Sequence, residues 1–139
     1  MVSVRSRVEN LEAALHRLEE AITIFSQTSA ADRLYDTCRD SLIQRFEFCF
    51  DLFWKSLKDH LEKSYGISVA SPRAVFREVF GQGLLHENEY KLLEEMIGDR
   101  NDASHRYDQA MAESIAKNIS SYCEVMVSVF DKHLSSGAS

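Results

Sequence analysis

The chain has 139 residues, a formal net charge of −6 and 45% hydrophobic side chains, with one proline and five glycines. That length suits one domain with a real core, and so little proline and glycine excludes both a disordered chain and a turn-rich β-sandwich. The acidic balance argues against non-specific duplex binding, which needs a basic face, while leaving room for a local arginine cluster that works on RNA or for a basic protein partner.

No run of about 18 uncharged apolar residues occurs, so no membrane span is expected. Met1 to Asn10 carries Arg5, Arg7 and Glu9 and has no apolar core, so it does not read as a signal peptide. Cys38, Cys49 and Cys123 are odd in number, far apart and set among apolar neighbours. They read as reduced thiols of a cytoplasmic protein.

Val4, Val8, Leu11, Leu15, Leu18, Ile22 and Phe25 follow steps of four and three, the mark of a long helix with one apolar seam. Ser6 and Glu9 form a capping-box pattern near its start. The seam is expected to pack within the protomer, with a coiled-coil contact to another chain as the alternative. Thr28 to Ala31 is a polar break, and Ser29 with Asp32 predicts a second helix from about Ala31 to Tyr65.

The middle of that helix is apolar nearly all round: Leu42, Ile43, Phe46, Phe48, Cys49, Phe50, Leu52, Phe53, Trp54 and Leu57. Such a helix must be buried nearly all round, at the centre of the fold or under a second subunit. Glu47, Asp51, Lys55 and Lys58 form its polar stripe. Gly66 suits a left-handed cap, and Ser71-Pro72 is an N-cap followed by proline at the first helical position. A short third helix should bury Val75, Phe76, Val79 and Phe80 and end at Gly81 and Gly83. A fourth from about Glu87 should bury Leu92, Leu93, Met96 and Ile97, with Gly98 weakening its last turn. Asp108 is the expected N-cap of a fifth helix, running to about Leu134 and lined by Met111, Ile115, Ile119, Tyr122, Met126 and Val129. The expected fold is all-α: one dimeric up-and-down bundle of about five helices over residues 1–139, with a polar tail from about 135.

The polar segment from Asp99 to Asp108 lies between two helices. In it, Arg100 and His105 are five residues apart, about 140° on a straight helix, so they share no face unless the backbone bends or each meets its counterpart across a dimer. Histidine exchanges a proton near neutral pH, and arginine grips a phosphate at two points and steadies charge that develops on it. His16, His60, His86 and His133 show no metal-ligand spacing, so neither metal nor cofactor is expected. His86 with Glu87 and Glu89 reads as a helix-start cluster. Glu47 and Asp51, one turn apart, could face the segment and orient His105, although an Asp51–Lys55 pair is the simpler expectation. The aromatic run from Phe46 to Trp54 reads as core and interface, since a base-stacking platform needs exposed rings.

Arg100 to His105 resembles the Arg-x4-His motif of the HEPN superfamily, with the polar Asn101 directly after the arginine. Extended to Tyr107 it becomes Arg-x4-His-x-Tyr, the form found in HEPN toxins paired with minimal nucleotidyltransferase antitoxins. The stretch Arg45 to Lys58, then Ser71-Pro72-Arg73, Asp99-Arg100-Asn101 and Ser104-His105 with Tyr107-Asp108 is similar to the nucleotidyltransferase substrate-binding protein family. Val4 to Leu134 can be laid on that pattern.

The resemblance implies a bundle that dimerises near the motif and a separately encoded minimal nucleotidyltransferase partner. The chain has no Gly-Ser pair followed by an Asp-x-Asp dyad, so nucleotidyl transfer falls to that partner. Two functions then compete. As a toxin-like, metal-independent endoribonuclease, His105 would move the proton, Arg100 would steady the phosphorane, and Asn101 and Ser104 would orient the phosphate. Tyr107 would then be adenylylated by the partner to silence the site. As a non-catalytic subunit, Arg100, His105 and Arg106 would hold a nucleotide or other anion for the partner enzyme. The joint presence of Arg100, His105 and Tyr107 favours the nuclease.

Overall fold

The computed structural model describes residues 6–105 and 108–135, and every element in it is helical: α1 (Arg7–Ser26), α2 (Tyr35–Tyr65), α3 (Pro72–Gly81), α4 (Glu87–Asp102) and α5 (Gln109–Val129). A 3₁₀ turn, Ala103–His105, follows α4, and a π-helical turn, Phe130–Leu134, extends α5 to the expected end. The all-α expectation holds.

The helix starts follow the local chemistry of the chain. Ser6 Oγ accepts from the Glu9 amide at 3.1 Å while Glu9 accepts from the Ser6 amide, closing the capping box. Ser71 accepts from the Ala74 amide ahead of Pro72, and Asp108 accepts from the Met111 amide at 3.1 Å. Gly66 ends α2 at φ 66°, a conformation that costs a residue with a Cβ about 1–2 kcal/mol. The second helix begins later than its sequence predicts. Ser29 and Asp32 accept instead from the amides of Ala31 and Leu34, and Asp32 and Tyr35 donate back to Ser29 and Asp32. These short loops compete with the helix, which forms only from Tyr35.

Cross-helix ties give the directions. Arg7 on Asp59 and Arg45 on the Arg17 carbonyl set α1 antiparallel to α2. Arg39 on Glu113 and Phe46 on Tyr122 set α5 parallel to α2. Asp99 with Tyr122 and Glu89 with Lys132 set α4 antiparallel to α5. The four long helices therefore alternate up and down, and the short α3 packs between α2 and α4.

The α1 seam lies inside the protomer, with Leu11, Leu15 and Leu18 buried against the core. α2 is the central helix, touching all four others, and its own chain covers more of it than the sequence implies. Leu42, Ile43, Phe46, Cys49, Phe50, Phe53 and Leu57 are buried. Phe48 remains 60% exposed, with Leu52 and Trp54 half-buried. Phe80 also departs from its expected burial. It lies at the end of α3, 37% exposed, with its ring stacked on Tyr90 at 4.5 Å. Among the described residues, no helix is long and apolar enough to cross a membrane.

Cys49 and Cys123 are buried, and burial pushes both thiols up to about 12. Iodoacetamide at neutral pH should therefore label Cys38 in the folded protein and all three cysteines after unfolding in urea. Rapid labelling of Cys49 or Cys123 in the folded state, read by mass spectrometry, would contradict this packing.

Candidate functional site

The segment that reads as a loop in the sequence is mostly helix. α4 runs through Gly98 to Asp102, so Arg100 stands in its last turn. Only then does the backbone tighten, with the buried Ala103 seating the 3₁₀ turn against the core. Ser104 Oγ donates to the Asn101 carbonyl at 3.0 Å, and the Asp108 amide donates to the His105 carbonyl at 3.0 Å. These bonds take up carbonyls that the end of the helix would leave without partners. Asn101, Ser104 and His105 are exposed on this knuckle. Arg106 and Tyr107 lie outside the described residues.

Arg100 reaches across to α2. Its Nη1 donates to Glu47 Oε2 at 3.1 Å and its Nη2 to Asp51 Oδ2 at 3.3 Å. Asp51 is thus committed to Arg100 in place of the expected Lys55, whose ammonium lies 5.9 Å from the Trp54 ring centroid. The side chains of Arg100 and Glu47 are 26% and 17% exposed, so this trio is partly withdrawn from water. Its formal charge is −1, and Nε of Arg100 is buried with no hydrogen-bond partner among the described residues.

Glu47 and Asp51 do face the segment, as one sequence expectation had it, and there they bond Arg100. The backbone bend does not bring Arg100 and His105 onto one face. Two α-helical steps followed by three 3₁₀ steps separate them by about 160°, no less than on a straight helix. The backbone directions of the two residues therefore diverge here much as they do on a straight helix.

Two groups of residues escaped the sequence reading. Asp99 Oδ2 accepts from Tyr122 Oη at 2.5 Å and from Asn118 Nδ2 at 3.0 Å. Burial, reinforced by the Asp99 bond, raises the Tyr122 phenol well above its ordinary value, so it stays protonated and donates. A signal existed, because a tyrosine among apolar core positions needs a partner for its hydroxyl. Nearer the start of α2, the buried Arg39 pairs with Glu113 at 3.0 Å and Asp36 at 3.3 Å, and Tyr35 Oη donates to Glu113 at 2.8 Å. Burial opposes the charge on Glu113, but these two donors outweigh it and hold the carboxyl below the usual range. This cluster braces α2 against α5. His86 caps α4, with Glu89 accepting from its amide at 2.8 Å, as the helix-start reading expects.

Residues 6–135 match the family described as nucleotidyltransferase substrate binding protein like. The chain is 33% identical to a Thermus thermophilus protein of known structure, with a TM-score of 0.78 over 87% of this chain and 96% of that one. It is 21% identical to a Haemophilus influenzae protein, with a TM-score of 0.76 over 89% and 96% of the two chains. That second structure is described as revealing the fold of a substrate-binding domain of a nucleotidyltransferase, and at this identity the likeness is one of fold. No curated protein matches the chain. With almost its whole length on one family pattern, the chain belongs to the nucleotidyltransferase substrate-binding protein family.

Proposed function

We propose that this protein is the non-catalytic substrate-binding subunit of a two-protein nucleotidyltransferase. On this reading a separately encoded minimal nucleotidyltransferase performs the transfer, and the knuckle at the end of α4 holds a nucleotide or other anionic substrate for it. The observation that carries the reading is the state of Arg100. Its guanidinium is already engaged by Glu47 and Asp51 on α2. A hydrolytic site needs its phosphate clamp and its proton carrier on one phosphodiester, whereas a binding site can use them at separate points. Asn101, Ser104 and His105 offer exposed hydrogen-bonding groups for ligand hydroxyls or phosphate oxygens. We further propose that the chain forms a two-fold homodimer through the exposed Phe48 and the half-buried Leu52 one turn on, a narrower part of the aromatic run than its sequence indicates.

The HEPN ribonuclease is the second reading. It is favoured by Arg100 and His105 standing on one knuckle, and it takes them to be joined across the dimer. In that reading Tyr107 is the adenylylation target. Expression of the chain alone in a bacterium separates the two. The binding subunit should leave growth and cellular RNA unchanged. Purified with its nucleotidyltransferase, it should support transfer that falls at least tenfold in His105→Ala and Arg100→Ala, because each removes a charge-assisted contact to substrate. Growth arrest, with EDTA-resistant RNA cleavage that is lost in His105→Ala, would overturn the binding role and establish the nuclease.

A further inference from the structure

We propose that Asp99, Tyr122 and Asn118 are positioning residues that set the rotation of the last turns of α4 and thereby hold Arg100 on Glu47 and Asp51. The inference rests on Arg100 belonging to the functional site, but the geometry behind it and its test do not depend on any ligand.

Adjacent residues on a helix point about 100° apart, so α4 can send Asp99 to α5 and Arg100 to α2 at only one rotation. On the α5 side, Tyr122 Oη and Asn118 Nδ2 both donate to the same oxygen, Asp99 Oδ2. Those donors are one turn apart, on one face of α5. The Tyr122 ring, 2% exposed, lies 5.6 Å from the Phe46 ring at an interplanar angle of 25°. Phe46 directly precedes Glu47, which holds Arg100. The contacts close a ring: Tyr122 to Asp99, along the chain to Arg100, across to Glu47, along the chain to Phe46, and back to Tyr122. Three helices are cross-braced around the one side chain whose aim the site depends on.

Two features of α4 give this ring work to do. Gly98 stands immediately before Asp99, and a glycine inside a helix loosens it by about 1 kcal/mol relative to alanine. Asp99 also sits in the last turn, where the helix dipole disfavours a carboxylate. Neither choice helps the helix by itself. The two donors from α5 compensate for both, since they satisfy the carboxylate and pin the turn that the glycine frees. The Tyr122 hydroxyl is not needed to fill space, because phenylalanine would occupy the same volume. What it adds is direction.

The test uses the full chain. Arginine Nε–H signals are followed by nitrogen–proton NMR, and the Arg100 signal is identified by its loss in Arg100→Lys. Tyr122→Phe should keep the helical circular dichroism yet speed exchange of the Arg100 Nε–H with water at least tenfold. In urea titrations, Tyr122→Phe combined with Glu47→Gln should lower the midpoint by less than the sum of the two single changes, because both break the same ring. Unchanged exchange at Arg100, or strictly additive midpoints, would overturn the proposal. If Tyr122→Phe fails to fold, Asn118→Ala carries the same measurements, since it removes the second donor from an exposed position. A nucleotidyltransferase indifferent to this chain would refute the functional reading and leave these results standing.

Discussion

Phe46→Ala should lower the melting temperature on the order of 10–20 °C, among the largest stability losses expected from a single truncation in this protein. Phe46 is fully buried in the central helix, with its ring against Tyr122 at 5.6 Å and Phe50 at 6.4 Å. Removing it forfeits the burial of a ring and leaves a cavity that α2, packed against all four other helices, cannot readily collapse to fill. The cost of such truncations is about 3–5 kcal/mol, a large part of the roughly 5–15 kcal/mol that stabilises a domain. The same substitution at Phe48, two residues on and 60% exposed, should change the monomer by no more than about 0.5 kcal/mol. Thermal unfolding followed by circular dichroism compares the two directly. Equal losses at both positions would mean that the inward and outward faces of α2 are wrongly assigned.

Phe48→Glu should convert the proposed dimer to monomer at micromolar concentration while leaving the helical content unchanged. An exposed phenylalanine costs the monomer little to replace, but a carboxylate placed where an interface excludes water is left without a partner. The penalty is about 2–5 kcal/mol, or roughly 30-fold to several thousand-fold in Kd. Light scattering after size exclusion reads the result. A wild-type monomer at these concentrations, or a variant that stays dimeric, would remove Phe48 from the contact. In the first case it would also remove the cross-subunit meeting of Arg100 and His105 that the nuclease reading needs. The same variant therefore bears on function. A dimer-dependent nuclease would lose its activity with Phe48→Glu, whereas a binding subunit that works as a single copy would keep its ligand.

Helix content, caps and most of the core were determined by the sequence itself, because they depend on neighbours within one or two turns. The capping box at Ser6 and Glu9, the left-handed Gly66, the Ser71-Pro72 start and the Asp108 cap are local chemistry, and each stands where the residues put it. The apolar steps of α1 and α5 likewise named their buried faces. Local chemistry also misled where two local structures compete, as at Ser29 and Asp32, whose turns displaced the predicted helix start.

What only the tertiary structure decided is how residues far apart in the chain share a charge or a direction. Arg100 and His105 were legible as a motif, but which carboxylates would claim Arg100 was not. Asp51 has a plausible partner one turn away in Lys55, and it bonds instead to an arginine 49 positions along the chain because α4 docks beside α2. The Asp99–Tyr122–Asn118 contacts and the Arg39–Glu113 brace are of the same kind. Periodicity records which side of a helix is apolar. It does not record the rotation at which two polar faces meet, and in this protein that rotation decides whether Arg100 lies open to a phosphate or held by Glu47 and Asp51.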